Sequence, residues 1–215
     1  MYCFYKQPQL NTFNNALTSS ELLVFKKTAR GWRKSRTVDQ PSFLALIRSL
    51  NPDFRTKLSS VAVNCTQAQF TSALLSDALI NLQHQIYPKI LRIELTLGKG
   101  PKSPDLLVAQ AENYRQHGIQ ISLDAVDAIT DLDALTPLLA QTRELKFRMS
   151  GSETDTRQLK FWQLTARQNR LRFVAYHVTS AVDHDLLDEL DVALRQGDYY
   201  SDTDKLILNH AADIA

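Results

Sequence analysis

Short runs of strand-forming residues alternate along this chain with longer segments whose apolar positions fall at helical spacing. Strand character gathers at 2–6 (YCFYK), 21–27 (ELLVFKK), 60–64 (SVAVN), 91–96 (LRIELT), 119–123 (IQISL), 144–149 (ELKFRM) and 172–178 (RFVAYHV). Helical spacing with start and stop signals predicts helices over 103–117, 130–142, 155–169 and 183–197. The first opens on Ser103-Pro104 and stops at Gly118, and the last stops at Gly197. The second is expected to bend or restart at Pro137.

From residue 60 onward the strand starts recur at intervals of roughly 25 to 30 residues, the rhythm of parallel strands joined by right-handed helical crossovers. About six such units follow two N-terminal strands separated by a short turn-rich link. The pattern predicts an α/β fold: a modified TIM-like (β/α) barrel in a single domain over 1–215, with a doubly wound sheet as the alternative. No Gly-rich phosphate loop follows any strand, which counts against that alternative.

Composition changes this picture little. Of 215 residues, 44% are hydrophobic and 22% charged, with only six glycines and seven prolines, so a packed core is expected and extended disorder is not. A formal net charge of +2 points to no particular class of partner. The two cysteines, Cys3 and Cys65, are too few for a disulfide scaffold and suit a reducing compartment. No apolar run approaches the roughly 20 residues of a membrane span, and MYCFYKQPQL lacks the features of a signal peptide. A soluble cytoplasmic protein with no membrane association is the expectation.

In an α/β barrel, chemistry gathers at the C-terminal ends of the strands. Asn64, Glu94, Asp124 and Lys146 fall at or near such ends. Glu21 stands at the start of its predicted strand and would join them only if that strand ran antiparallel to the rest. Each has a plain structural alternative. Asn64 could cap the next helix, Asp124 could cap a turn, and Lys146 could face solvent. Glu94 is harder to dismiss, because a carboxylate inside an apolar strand needs compensation. Together, three carboxylates, an amide oxygen and an ammonium suit a hard divalent cation, Mg²⁺, Mn²⁺ or Ca²⁺.

From about Tyr5 to Ser201, the order of these motifs resembles a degenerate EAL domain, the family of cyclic-di-GMP phosphodiesterases built on a modified TIM barrel with an antiparallel N-terminal strand. KQPQ (6–9) is similar to the family's opening Gln-Pro strand, with Gln7 at its ligand-contacting glutamine. ELLVF (21–25) is similar to Glu-Ala-Leu-Leu-Arg and keeps Glu21; VAVNCT (61–66) keeps the metal-binding asparagine as Asn64. ELTL (94–97), LDAVDA (123–128) and LKFR (145–148) keep Glu94, Asp124 and Lys146. VAYHVTS (174–180) falls on Ala-Glu-Gly-Val-Glu-Thr, and QGDYYS (196–201) keeps Gln196 and Gly197.

The departures bear on activity. Phe25 stands for the arginine that the family uses on a ligand phosphate, and Leu97 for a glutamate bracing the functional loop. Ala125 replaces a ligand of the second metal, Arg148 an aspartate, and Tyr176 the glutamate that supports the catalytic lysine. The resemblance thus implies one Mg²⁺ or Mn²⁺ held by Glu21, Asn64, Glu94 and Asp124, and a second site lost unless Asp127 rebuilds it. Lys146 would be a remnant of the catalytic machinery, and Gln7 and Gln196 would be ligand-binding residues. A two-metal phosphodiesterase needs both ions to activate water and clamp the phosphate, so efficient hydrolysis is not expected.

These changes imply an EAL-like signalling protein of impaired catalysis that acts through protein–protein contacts. The alternative is cyclic-di-GMP binding, or metal-dependent hydrolysis to linear pGpG. A partner surface is suggested by KKTARGWRKSR (26–36), where Arg30, Trp32, Arg33 and Lys34 sit among further cations; a solvated hairpin is the plainer account. Asp183, Asp185, Asp188, Glu189 and Asp191 make the C-terminal third acidic, an asymmetry that could support a homodimer. The five histidines show no metal-ligand spacing, and His177 is expected only to narrow the cleft.

Overall fold

A computed structural model describes residues 1–35, 37–50, 60–97, 100–126, 132–151, 154 and 156–206. Its strands in chain order are β1 (Tyr2–Asn11), β2 (Ala16–Thr28), β3 (Gly31–Lys34), β4 (Val61–Thr66), β5 (Leu91–Thr96), β6 (Gln120–Val126), β7 (Glu144–Arg148), β8 (Arg172–Tyr176), β9 (Leu194–Gln196) and β10 (Asp204–Lys205). The helices are α1 (Gln40–Ser49), α2 (Gln67–Phe70), α3 (Ala73–Ile86), α4 (Pro104–Gln116), α5 (Leu132–Leu139), α6 (Thr156–Gln168) and α7 (Ala181–Glu189).

The sheet runs β10-β1-β9-β8-β7-β6-β5-β4-β2-β3, and a further β1–β2 pairing closes it into an eight-stranded barrel. The β3 and β10 strands hang outside that ring. Both barrel neighbours of β1 run antiparallel to it, while β2, β4, β5, β6, β7, β8 and β9 run parallel. This is the expected barrel with one reversed strand. Pro8 lies between β1's pairings to β10, at Tyr5 and Lys6, and to β9, at Leu10 and Asn11. A residue without an N–H is tolerated there because that edge carries no ladder partner at Pro8.

Two expectations are corrected. Glu21 does not begin its strand and needs no reversal to reach the site. The β2 strand starts five residues earlier, at Ala16, and runs parallel to β4, with Glu21 opposite Ala62. The predicted helix over 183–197 is two elements: α7 ends at Glu189, and Leu194–Gln196 is the closing strand β9. Helical spacing across that boundary concealed a strand of three residues, too short to show a period of its own. The segment around Pro137 forms one helix with the proline inside, without a restart.

Side chains alternate across each strand. One set, including Val61, Val63, Ile93, Leu95, Ile121, Leu123, Leu145 and Phe147, is buried against the surrounding helices. Helix α3 contributes Leu75, Leu79, Leu82 and Ile86 to that shell. The opposite set fills the barrel, and it is polar. Capping fixes where helices leave the strands: Thr66 and Gln69 form a reciprocal box at α2, and Ser180 and Asp183 another at α7. Asn64 is therefore not a cap, and its side chain is left for the barrel. Cys65 is buried and Cys3 half-buried, both as thiols rather than in a disulfide, and burial pushes the Cys65 thiol up to about 12.

Candidate functional site

Two polar layers stack inside the barrel. The layer nearer the N-terminal ends holds Gln9, Ser19, Arg92, Gln120, Glu144 and Arg172. Arg92 and Arg172 each approach Glu144 Oε2 to 3.5 Å, and Arg172 donates to Gln9 Oε1 at 2.8 Å. Arg92 also donates to Gln120 Oε1 at 3.1 Å. Glu144 is fully buried, so these cations are its charge compensation.

The layer above gathers Gln7, Glu21, Asn64, Glu94, Lys146 and Gln196. Lys146, 1% exposed, donates to Glu94 Oε2 at 2.6 Å and to Glu21 Oε2 at 2.9 Å. It is thus the opposite of a solvent-facing residue. Asn64 Nδ2 donates to Glu21 Oε1 at 2.5 Å, and Gln196 Nε2 donates to Glu21 Oε2 at 2.5 Å and to Gln7 Oε1 at 3.1 Å. Gln7 Nε2 in turn reaches Asp198 Oδ1 at 2.8 Å. At the rim, Asp124 Oδ2 accepts from Thr96 Oγ1 at 3.3 Å, and the Tyr176 ring centroid lies 5.0 Å from Lys146 Nζ.

The register explains the assembly. Asn64, Glu94 and Ser122 are partners across β4, β5 and β6, and Gln7 is the partner of Glu21 across β1 and β2. Partners share a face, so residues far apart in sequence project into one layer. Gly197 is required for the final turn. A Cβ there would lie 2.1 Å from the Val178 carbonyl oxygen, so only glycine lets β9 deliver Gln196 this close to the loop after β8.

With every acid ionised, Glu21, Glu94 and Asp124 face the single ammonium of Lys146, an excess of two negative charges. Burial works to raise the Glu21 carboxyl, but the charges of Lys146 and Lys34 and the hydrogen bonds from Asn64 and Lys146 outweigh it and hold it at about 2. Burial and the Glu21 charge push the Glu94 carboxyl well up despite Lys146. Burial also raises Asp124, with Glu21 adding to it. Burial would discharge Lys146, yet the three carboxylates overcome it and keep the ammonium charged.

Glu21, Asn64, Glu94 and Asp124 are the residues that could hold a cation. Asp124 Oδ1 and Gln196 Oε1 are buried acceptors without a hydrogen-bond partner, and the layer carries surplus negative charge, so its chemistry fits one hard divalent ion. Among the described residues no three acids or imidazoles converge as a ready-made cage, and Glu21 and Glu94 both pair with the Lys146 ammonium.

The structure thus brings together Gln7, Glu21, Asn64, Glu94, Lys146 and Gln196, with Asp124 at the rim. Asp127 lies outside the described residues. Ala125 has a left-handed backbone with φ 59°. Leu97 is buried and Arg148 is exposed. His177 is exposed, with Nδ1 3.3 Å from the Met149 carbonyl oxygen. Arg30, Trp32, Arg33 and Lys34 lie on the hairpin of β2 and β3. The acidic surface is smaller than the sequence suggests, since Asp183 is buried as a cap and Asp188 pairs with Arg195 at 2.5 Å. Asp198 and the Lys146–Tyr176 contact were missed; neither has a signal beyond adjacency to a recognised motif.

Comparison with solved structures gives the architecture its class. An EAL enzyme, Bd1971, with cAMP and cyclic-di-GMP bound, superposes with a TM-score of 0.75 at 17% identity, over 95% of this chain and 62% of that one. The Bacillus subtilis YkuI protein, which has an EAL domain and was solved with the substrate c-di-GMP and calcium, gives 0.78 at 14% identity, over 98% of this chain and 58% of the other. The Xanthomonas citri FimX EAL domain in complex with c-diGMP gives 0.77 at 14% identity, over 97% and 90%. The chain therefore has the EAL-domain fold, and it spans about three-fifths of the first two proteins. No protein-family model and no curated protein matches it. Among the described residues no helix is long and apolar enough to cross a membrane.

Proposed function

We propose that this protein is a cyclic-di-GMP signalling module that binds the nucleotide at the barrel mouth and hydrolyses it poorly or not at all. The observation that carries this is the ordered layer around Glu21, where Lys146, Asn64 and Gln196 converge on one buried carboxylate. Buried carboxylates whose protonation is shifted by close charge partners gather at functional sites. Structures sharing the fold were solved with cyclic-di-GMP in place, which supports that ligand class.

Glu21, Asn64, Glu94 and Asp124 would hold one Mg²⁺ or Mn²⁺. Bound there, the ion would neutralise surplus carboxylate charge and polarise a phosphodiester oxygen. Lys146 holds its proton and stands ready to face a phosphate oxygen once a cation takes over its carboxylates. Gln7 and Gln196, which border Glu21 in that layer, would turn their amides to the ligand. Weak hydrolysis follows from the residues beside Asp124 and Lys146: Ala125 offers no ligand, and Tyr176 presents a ring where an acid would be needed.

The test incubates the protein with Mn²⁺ and cyclic-di-GMP, following thermal stabilisation and product, with Glu21→Ala as control. Stabilisation without linear dinucleotide is the expected result. Product from the wild type alone would overturn the claim of impairment. A melting temperature unmoved at saturating nucleotide would sink the ligand assignment.

A second function, protein interaction, is favoured by one observation. Lys26, Lys27, Arg30, Arg33 and Lys34 are all exposed on one hairpin that leaves the barrel wall. Reversing the charge of Arg33 and Lys34 should weaken association with an acidic partner. Undiminished capture of that partner would return the hairpin to ordinary surface.

A further inference from the structure

The wall of the barrel mouth is built from the two N-terminal strands and the hairpin. Across β1 and β2, Gln7 pairs with Glu21, Tyr5 with Leu23 and Cys3 with Phe25. Alternation puts Phe25 and Tyr5 on the same face as Glu21 and Gln7, two steps and one step further toward the open end. The two rings stack with centroids 3.9 Å apart and planes at 20°, and both remain half-exposed. They form a flat apolar shelf above a floor of carboxylates and amides.

Lys34 is the cross-strand partner of Phe25, on β3. It therefore shares the mouth-facing side, while Lys26 and Arg33, paired with each other, face away. Lys34 is exposed at the shelf's edge, and its charge is felt by the Glu21 carboxylate below. Phe25 itself offers no cation to a ligand. The ammonium that this wall presents comes from the neighbouring strand instead.

We propose that Lys34 is a ligand-positioning residue, supplying from β3 the cationic contact to a phosphodiester of the bound cyclic dinucleotide while the Tyr5–Phe25 shelf carries its apolar face. This rests on the nucleotide-binding function proposed above. A cyclic dinucleotide has two phosphodiesters on one ring, so one can face the carboxylate floor while the other meets Lys34. A lysine contacts phosphate as a point charge, and no fork geometry is demanded of the strand.

The experiment is calorimetric titration of the full chain with cyclic-di-GMP, with and without Mn²⁺, comparing wild type, Lys34→Gln and Arg33→Gln. The two variants remove the same charge from the same exposed hairpin, one from each face. Lys34→Gln should bind about tenfold more weakly, with a shallower dependence on salt, while Arg33→Gln stays within about twofold of wild type. Equal losses in the two variants would show general attraction by the hairpin and overturn the role of Lys34, as would unchanged binding by Lys34→Gln. If wild type itself gives no heat and no thermal shift, the nucleotide-binding function falls and this inference falls with it. Matching melting temperatures for the three proteins exclude misfolding as the cause.

Discussion

Lys146 Nζ lies 2.6 Å from Glu94 Oε2 and 2.9 Å from Glu21 Oε2, so one ammonium bridges two buried acids from different strands. That ammonium is the only cation in direct contact with the two carboxylates among the described residues, and much of the site's expected behaviour follows from that geometry.

Replacing Lys146 by Met would leave Glu21 and Glu94 facing each other without compensation. Breaking a buried ion pair on one side costs about 3–5 kcal/mol, and a loss of that size is expected in urea unfolding at neutral pH. Adding Glu94→Gln to Lys146→Met should recover part of it, since an amide needs no counter-charge. A double variant no better than the single would show that the two groups are not coupled.

The pH dependence should have two limbs. The Glu21 carboxyl falls from its ordinary 4.5 to about 2, so its stabilisation, about 3 kcal/mol, is complete above 4.5 and is lost as pH drops toward 2. Glu94 and Asp124 are raised, which has the opposite sign: ionising them costs stability as pH climbs above their ordinary values of 4.5 and 3.8. Stability should therefore peak in mild acid. Glu94→Gln should flatten the alkaline limb in melting curves recorded from roughly pH 3 to 9. A limb that survives this change would assign it to other groups.

Gly197→Ala should cost about 3 kcal/mol, because its Cβ would meet the Val178 carbonyl oxygen at 2.1 Å and the backbone there must move. The displaced β9 carries Gln196, so nucleotide affinity should fall together with stability. Binding that holds while the melting temperature drops would detach Gln196 from the site.

The lower polar layer should behave differently. Arg92→Met strips Glu144 of its buried cation and leaves it half-exposed Arg172 at 3.5 Å, an expected loss of about 3 kcal/mol. Nucleotide affinity in the folded fraction should not change, because that layer lies at the N-terminal end of the strands. A parallel loss of affinity would mean the two layers act as one unit.

Much of the fold could be read in the residues. β-branched and aromatic runs marked seven of the barrel strands, and LRIELT was placed to the residue, because local propensity and alternation act within a few neighbours. Glu94 stood out for the same reason, as an acid inside an apolar strand. Strand β9 was hidden, since three residues carry no period and its existence depends on pairing with β8 and β1.

Sequence by itself marked seven of the eight barrel strands and the helices of the C-terminal half, and placed Asn64, Glu94, Asp124 and Lys146 near strand ends. Those choices are fixed by steric preference and by side-chain period. Only the tertiary structure decided that Lys146 points inward to Glu21 and Glu94, that Glu21 sits mid-strand in a parallel ring, and that Lys34 shares a face with Phe25. Those relations depend on strand register and barrel closure. A one-residue slip in either would turn each of these side chains to the opposite face.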